Sequence, residues 1–181
     1  QTGRPSRRQG YTLSQAGNFH SLWCDGGDCY VGRDTDLFRI GADISLTGVR
    51  SGLSGDRIYF CQTPKGVYYS NGTQNGVVNG SNSVVWPSEP YVGPDSNRNF
   101  SSAPIGKHMA IYRGRMFIAE GPALWWSEPY LYGLFDQAKG FAQFSTDIIM
   151  VAPVTGGLFV SDRKKTYFLR GVPGDFSMET V

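Results

Sequence analysis

The sequence has few of the residues that most often carry catalysis or hold a metal. It contains two histidines, His20 and His108, and three cysteines, Cys24, Cys29 and Cys61. Each histidine begins a predicted strand. A hydrolase dyad would need one of them beside a cysteine or serine in the fold, which the sequence does not suggest, so a backbone-bonded histidine is favoured. The Cys24-x4-Cys29 spacing exceeds the common C-x2-C zinc pattern, and no second Cys/His pair follows. We therefore predict no catalytic residue, no metal site and no cofactor.

Long apolar runs are also missing. No stretch approaches the ~20 apolar residues that span a bilayer, which predicts no membrane-spanning segment. The odd number of cysteines fits a reducing compartment better than a disulfide-stapled secreted scaffold. The chain begins at Gln1 rather than at methionine, so we expect a processed product or part of a longer protein.

Charge of either sign is scarce. The formal net charge is +2, which is too small to predict that the whole surface binds a polyanion. Arg4, Arg7 and Arg8 concentrate positive charge in a predicted basic arm over residues 1–17. Such an arm is either a solvated terminus or a contact with nucleic acid or an acidic neighbour.

Paired carboxylates are not evident either. The acidic side chains are scattered through predicted turns rather than along one strand, for example Asp34, Asp56 and Glu120. A glycosidase needs two facing carboxyl groups, and a multi-sheet fold can supply them from different sheets. A secreted glycoside hydrolase therefore stays open as an alternative.

Glycine and aromatic residues, in contrast, are abundant. The chain has 24 glycines and 14% aromatic residues, and short apolar runs alternate with turn residues. This pattern predicts an all-β protein. Four hairpins share an aromatic strand, a turn and a second aromatic-rich strand; they start at Cys29, Arg57, Arg115 and Leu158. Repeated hairpins are typical of an array in which each unit buries its face against the next.

Each hairpin has a candidate strand before it: Ser21–Cys24, Ile44–Val49, His108–Tyr112 and Ile148–Ala152. The predicted unit is therefore a three-stranded antiparallel meander, and the predicted fold is a partial or degenerate β-propeller. The central aromatics Tyr30, Tyr59, Phe117 and Phe159 lie 29, 58 and 42 residues apart, a spacing too irregular for the regular repeat families. The expected organisation is the basic arm, two blades (18–71), a long Gly/Asn/Ser/Pro-rich loop (72–106), two further blades (107–172) and a C-terminal segment (173–181).

Two aromatic doublets, Tyr68-Tyr69 and Trp125-Trp126, stand on predicted strands. Neighbouring strand residues point to opposite faces, so we expect one ring of each doublet to face outward. The candidates for exposed contacts are Tyr69, Trp125 and Trp126. An outward ring could contact another subunit, or it could stack on a sugar as in a carbohydrate-binding propeller.

Two stretches resemble the β-propeller-bearing tail tube or nozzle proteins of short-tailed bacteriophages and their prophage relatives. The first is Gly3-Arg4-Pro5-Ser6-Arg7-Arg8-Gln9-Gly10, similar to a Gly-x-x-x-Arg-Arg-x-Gly element near the start of such proteins. The second runs from Tyr112-Arg113-Gly114-Arg115 through Trp125-Trp126-Ser127-Glu128-Pro129 to Phe135-Asp136, and resembles one of their blades. The segments His20–Trp23 and Tyr69–Gly72 also resemble the sequences of these tail proteins.

The resemblance implies a virion structural protein without catalytic residues. Identical subunits would form a hexameric ring that extends the tail beneath the portal and adaptor, retains the genome and passes DNA through its lumen without sequence specificity. Arg4, Arg7 and Arg8 would then contact a neighbouring ring or the DNA path. The alternative is a carbohydrate-binding propeller used in host receptor recognition.

Overall fold

The computed structural model describes residues 15–94 and 98–181. Within these residues every regular element is a β-strand, and the strands form four separate antiparallel sheets. The predicted all-β class with antiparallel meanders is thereby confirmed. This part of the chain contains no helix long and apolar enough to cross a membrane.

Sheets I and II are four-stranded meanders, in which sequential strands are spatial neighbours. Sheet I has the order β1-β2-β3-β4, with β1 Phe19–Asp25, β2 Asp28–Arg33, β3 Asp36–Ile40 and β4 Leu46–Arg50. Sheet II has the order β5-β6-β7-β8, with β5 Tyr59–Thr63, β6 Gly66–Ser70, β7 Asn75–Asn79 and β8 Asn82–Val84. Tight turns join most of these strands, as the glycine and asparagine content indicates.

Sheets III and IV follow the same plan. Sheet III has the order β10-β11-β12-β13-β9, with β9 Phe100–Ser101, β10 Lys107–Tyr112, β11 Arg115–Glu120, β12 Ala123–Glu128 and β13 Leu131–Asp136, while β14 Phe141–Gln143 also pairs with β12. Sheet IV has the order β15-β16-β17-β18, with β15 Ile148–Val154, β16 Gly157–Asp162, β17 Thr166–Val172 and β18 Asp175–Thr180.

The four sheets pack face to face in chain order, with their first strands side by side. Strand β5 contacts β1 and β10, and β10 contacts β15. Ile58 N–H donates to Ser21 Oγ at 2.8 Å between sheets I and II, and the rings of Tyr59 and His108 are 4.5 Å apart between sheets II and III. Four-stranded antiparallel sheets with their first strands gathered along one line are consistent with the blades of a partial propeller.

Three buried clusters hold the stack together, one at each junction. Tyr30, Leu37, Tyr69 and Val78 lie between sheets I and II. The cluster between sheets II and III includes Tyr68, Met116 and Phe135. Phe117, Leu124, Leu158 and Leu169 belong to the cluster between sheets III and IV. Because each central sheet is covered on both faces, its strands are apolar at successive positions rather than at alternate ones.

Sheets II and IV are the same unit, repeated at a constant offset of 91 residues. Phe60 pairs with Tyr69 and Tyr68 with Val77, just as Val151 pairs with Val160 and Phe159 with Phe168. The true counterpart of Phe159 is therefore Tyr68, on the second strand of sheet II. The interpretation that aligned Tyr59 with Phe159 was wrong by one strand. With Tyr68 in place of Tyr59, the spacings between the central aromatics become 38, 49 and 42 residues instead of 29, 58 and 42.

The strand boundaries correct two further expectations. Ile44–Val49 was predicted to begin the second meander, but Leu46–Arg50 is the fourth strand of sheet I. The predicted loop 72–106 contains β7 and β8, which complete sheet II, and β9, which pairs with β13. The repeating unit thus has four strands rather than three. In sheets II and IV the fourth strand is mostly exposed, whereas in sheet III the fourth strand, β13, is buried and apolar.

Cys24 and Cys29 form a disulfide across the β1–β2 hairpin, with Cα atoms 4.1 Å apart. The Gly26-Gly27 turn makes Asp25 and Asp28 the closing pair, which places the cysteines at the next, non-hydrogen-bonded position, where Cα atoms come closest. This finding corrects the expectation of reduced cysteines. Cys61 is buried and free, and burial raises the pKa of its thiol to about 12.

Candidate functional site

The predicted contact residues fall in different environments. Arg4, Arg7 and Arg8 lie outside the described residues, so their proposed contacts stay predictions. Tyr69 is fully buried between sheets I and II, and Trp126 is buried between sheets III and IV. The expectation that these two rings are exposed was wrong, because both faces of sheets II and III are covered by neighbouring sheets.

Trp125 keeps part of its ring accessible. Its indole Nε1 donates to Glu120 Oε2 at 3.1 Å, and its ring lies 4.8 Å from that of Phe141. The ring lines a depression of about 320 Å³ together with Glu120, Gln137 and the Ser101–Ile105 segment. A partly accessible indole beside a carboxylate and an amide has the chemistry to stack on a polar ring ligand.

The Ser127-Glu128 pair of the motif that carries the resemblance has structural partners. Ser127 Oγ accepts a hydrogen bond from Met116 N–H at 3.0 Å and donates to the carbonyl of Glu128. Arg115 donates to the carbonyl of Ser127 at 2.7 Å. These bonds fix the point at which β12 changes partners from β14 to β13.

Arg98 joins two carboxylates that are distant in sequence. Its guanidinium donates to Glu128 Oε1 and, at 2.8 Å, to Asp136 Oδ2. Burial alone would raise the pKa of Asp136, but the N–H groups of Ala138 and Lys139 and the Arg98 charge outweigh it and lower this pKa. Sequence reasoning missed this cluster, because Arg98 lies in the predicted loop and nothing nearby marks it as a partner of Glu128.

A polar groove of about 470 Å³ runs along the line where the first strands of sheets II, III and IV meet. His108, Lys107, Asp147 and Arg163 line it. Burial, together with the charges of Arg57 and Lys107, lowers the pKa of His108, so its imidazole is neutral near pH 7. In the described residues no group of three or more His, Cys, Asp or Glu side chains is placed to hold a metal ion.

Apolar side chains are also accessible on the outer faces of sheets I and IV. We call the side of a sheet toward the following sheet its front face and the side toward the preceding sheet its back face. On the front face of sheet IV, Phe159 and Phe168 lie 4.8 Å apart and are only partly buried. On the back face of sheet I, an apolar depression of about 450 Å³ is lined by Phe19, Leu22, Val31, Ile40, Ile44 and Leu46, among others.

The comparisons with known proteins leave the family open: no protein-family model and no curated protein matches this sequence. The functional argument therefore depends on the residues themselves and on the surfaces that the fold presents.

Proposed function

We propose that this chain is a structural component of a bacteriophage tail, of the nozzle or tail-tube kind. Identical subunits form a hexameric ring that extends the tail, retains the genome and gives it a channel for ejection. Its other partners are the adaptor or portal-side tail proteins and the genomic DNA, which passes through the lumen without sequence-specific contacts.

The observation that carries this proposal is the location of the residues that resemble tail proteins. Phe117, Trp126 and Ser127 lie in sheet III, both faces of which are covered by neighbouring sheets. The side chains of Phe117 and Trp126 fill the junction between sheets III and IV. Ser127 Oγ accepts the hydrogen bond from Met116 N–H at the point where β12 changes its pairing partner. Residues used in this way support a scaffolding role, since their partners are other parts of the scaffold rather than a ligand.

The close packing between sheets also supports a role in a structure that resists mechanical pressure. Aromatic rings bridge the first and the last junction: Tyr30 and Phe60 lie between sheets I and II, and Phe117 and Phe176 between sheets III and IV, with centroids 6.3 and 6.2 Å apart. Close-packed interiors have low compressibility and transmit strain. A ring that holds a genome under pressure requires this stiffness.

Quantitative mass spectrometry of purified particles tests the proposal. We expect the chain in the virion at a copy number divisible by six, and we expect a nonsense mutation in its gene to yield particles that lose their DNA. Supplying the wild-type chain in trans is the control and should restore filled particles. Absence of the chain from infectious, purified particles would overturn the proposal.

A carbohydrate-binding propeller is the second candidate, and the Trp125 depression favours it. We expect glycan-array binding, if this role is correct, to disappear with Trp125→Ala and to weaken with Glu120→Gln. Tyr130→Ala is the matched control, because Tyr130 is an exposed aromatic residue outside this depression. Binding that is absent in the wild-type chain, or equal in all three variants, would eliminate this candidate.

A further inference from the structure

Two polar depressions on the surface of the chain are continuous with each other. The Trp125 depression of about 320 Å³ and the groove of about 470 Å³ beside His108 are both lined by Glu120 and Ile105. Glu120 stands between them, and its carboxylate accepts the indole N–H of Trp125. We call the joined surface the long cleft. Its walls come from sheets II, III and IV and the segments that lead into sheets III and IV, so it belongs to the middle of the stack rather than to either end.

About two strand spacings separate the indole of the long cleft from its imidazole. Trp125 pairs with Ile118, and Ile118 pairs with Met109, the residue next to His108. Neighbouring strands lie about 4.8 Å apart, so the backbone at Trp125 is about 10 Å from the backbone at His108. A ligand that contacts both side chains is therefore longer than a single sugar ring.

The backbone at His108 has a conformation that residues other than glycine rarely adopt. Its φ is +46°, and the pairing of β10 with β11 shifts register between Lys107 and Met109. β-Bulges re-aim a side chain and are over-represented next to functional sites. Here the imidazole of His108 lies 4.5 Å from the Tyr59 ring, at the wall of the groove. Neither ring nitrogen is hydrogen-bonded within the part of the chain that the structure describes, and neither is fully buried, so both are open to a ligand.

Two cations beside this imidazole have no carboxylate partner. The guanidinium carbon of Arg57 is 5.4 Å from the centre of the Tyr59 ring, and Lys107 directly precedes His108. Among the described residues neither cation forms an ion pair. Burial, followed by the charges of Arg57 and Lys107, lowers the pKa of His108, so its imidazole is neutral near pH 7 and donates one N–H. This end of the long cleft is positive.

The carboxylates of the long cleft are already bonded to other groups. Asp147 pairs with Arg163 at 3.2 Å, so the two charges on the sheet IV side cancel. Glu120 accepts from Trp125 Nε1 at 3.1 Å, at the other end of the cleft. The long cleft is thus aromatic and polar at the Trp125 end and positive at the His108 end.

We propose that the long cleft binds an acidic saccharide, a sugar chain that carries a phosphate or carboxylate group. One sugar ring stacks on Trp125, and Glu120 accepts a hydrogen bond from one of its hydroxyl groups. The acidic group lies beside Arg57, Lys107 and His108, where charge-assisted hydrogen bonds are available. The inference rests on the carbohydrate-binding role described above and names the class of ligand for it.

A glycan array that carries each saccharide in a charged and an uncharged form tests the ligand class. Suitable pairs are oligogalacturonates with their methyl esters and sugar phosphates with the parent sugars. The wild-type chain should bind the charged members at least about tenfold more tightly, and Lys107→Met and Arg57→Met should each remove about tenfold of that affinity. Arg170→Met is the matched control, because Arg170 is an exposed cation that lines neither depression, and it should bind like the wild type.

The outcomes separate this inference from the role on which it rests. Equal binding of the charged and uncharged forms, lost in Trp125→Ala, would overturn the acidic ligand and keep the carbohydrate-binding role. Binding of neither form would overturn that role and the inference with it. Equal effects of Lys107→Met and Arg170→Met would also overturn the inference, because binding would then follow net charge rather than the cleft.

The two histidines give an independent measurement at the positive end. Inorganic phosphate bound beside His108 stabilises the protonated imidazole and should raise its pKa, whereas His20, in sheet I, should titrate as it does without phosphate. Proton NMR of the two ring signals measures both titrations, and the shift at His108 should disappear in Lys107→Met. A pKa of His108 that phosphate leaves unchanged, or that shifts equally with that of His20, would overturn the placement of the acidic group.

Discussion

Asp162 accepts a hydrogen bond from Ser145 Oγ at 2.7 Å, which ties the end of β16 to the segment that leads into sheet IV. Asn71 makes the equivalent tie in sheet II, where its Nδ2 donates to Ser54 Oγ at 3.0 Å. The side-chain Oδ1 of each also accepts two backbone N–H groups of the following turn. In both copies of the repeat, a side chain at the end of the second strand thus binds the segment that precedes the first strand. Asp162 does so with a carboxylate and Asn71 with an amide.

This equivalence predicts a pH-dependent difference between wild type and Asp162→Asn. The Ser145 hydrogen bond, reinforced by the backbone N–H groups, lowers the pKa of Asp162 in the folded chain. A lowered pKa stabilises the fold above the unfolded value of about 3.9, and that stabilisation is lost as the pH falls below it. Asparagine keeps the turn, as Asn71 does, but does not titrate.

We expect Asp162→Asn to melt close to the wild type at pH 7 and to lose less stability than the wild type between pH 5 and 3. Asp162→Ala should melt at a lower temperature than the wild type at pH 7 and also between pH 5 and 3, because the backbone N–H groups of the turn lose the side chain that accepts them. Thermal unfolding of the three proteins across this range measures the effect. Parallel acid destabilisation of the wild type and Asp162→Asn would contradict the account.

Arg98→Met should destabilise the fold by roughly 1.5–3 kcal/mol, the usual value for lost hydrogen bonds to charged groups. The reason is that Asp136, which is 3% exposed, keeps its charge without the guanidinium. Urea unfolding at pH 7 measures the change. Arg163→Met is the control: its ion pair with Asp147 is well exposed, so its removal should cost about 0–1 kcal/mol. Equal effects of the two variants would show that the Arg98 cluster is as weak as a surface pair.

The equivalent rings Phe117 and Phe159 provide a direct comparison of a covered and an uncovered front face. Phe117→Ala should cost about 3–5 kcal/mol, as is usual for a fully buried phenylalanine. Phe159→Ala in dilute protein should cost about 1–2 kcal/mol, because its ring gives up less apolar burial. Equal costs would mean that some part of the chain covers the front face of sheet IV.

Cys61 should resist alkylation in the folded protein. Its thiol is buried and its pKa is raised to about 12, so almost no thiolate is present at pH 8. Mass spectrometry after brief treatment with iodoacetamide should find no modified Cys61 in native protein and complete modification in urea. Labelling of Cys61 under native conditions at the rate of a free peptide thiol would contradict its placement in the junction between sheets II and III.

The fold class could be predicted from the sequence because hairpins such as Arg57–Asn71 combine two aromatic strands with a glycine-containing turn. The sequence was not sufficient for the register of the repeat. Tyr59 and Tyr68 are both aromatic, and only the pairing of β5 with β6 reveals that Tyr68 is the counterpart of Phe159. The fourth strands of sheets II and IV were missed because edge strands such as Asn82–Val84 bury little and so have no apolar pattern.

The exposure of the aromatic doublets could not be predicted for a related reason. Alternation along one strand places Tyr68 and Tyr69 on opposite faces, which holds in the structure. Whether a face is free depends on the neighbouring sheets, and both faces of sheet II are covered. The Arg98 cluster depends on the same long-range information, since Arg98 is 30 and 38 residues from Glu128 and Asp136 in the sequence.

The most direct test of the proposed tail role is the copy number of this chain in purified particles. Quantitative mass spectrometry should find the chain in the virion at a copy number divisible by six. Absence of the chain from infectious, purified particles would contradict the account.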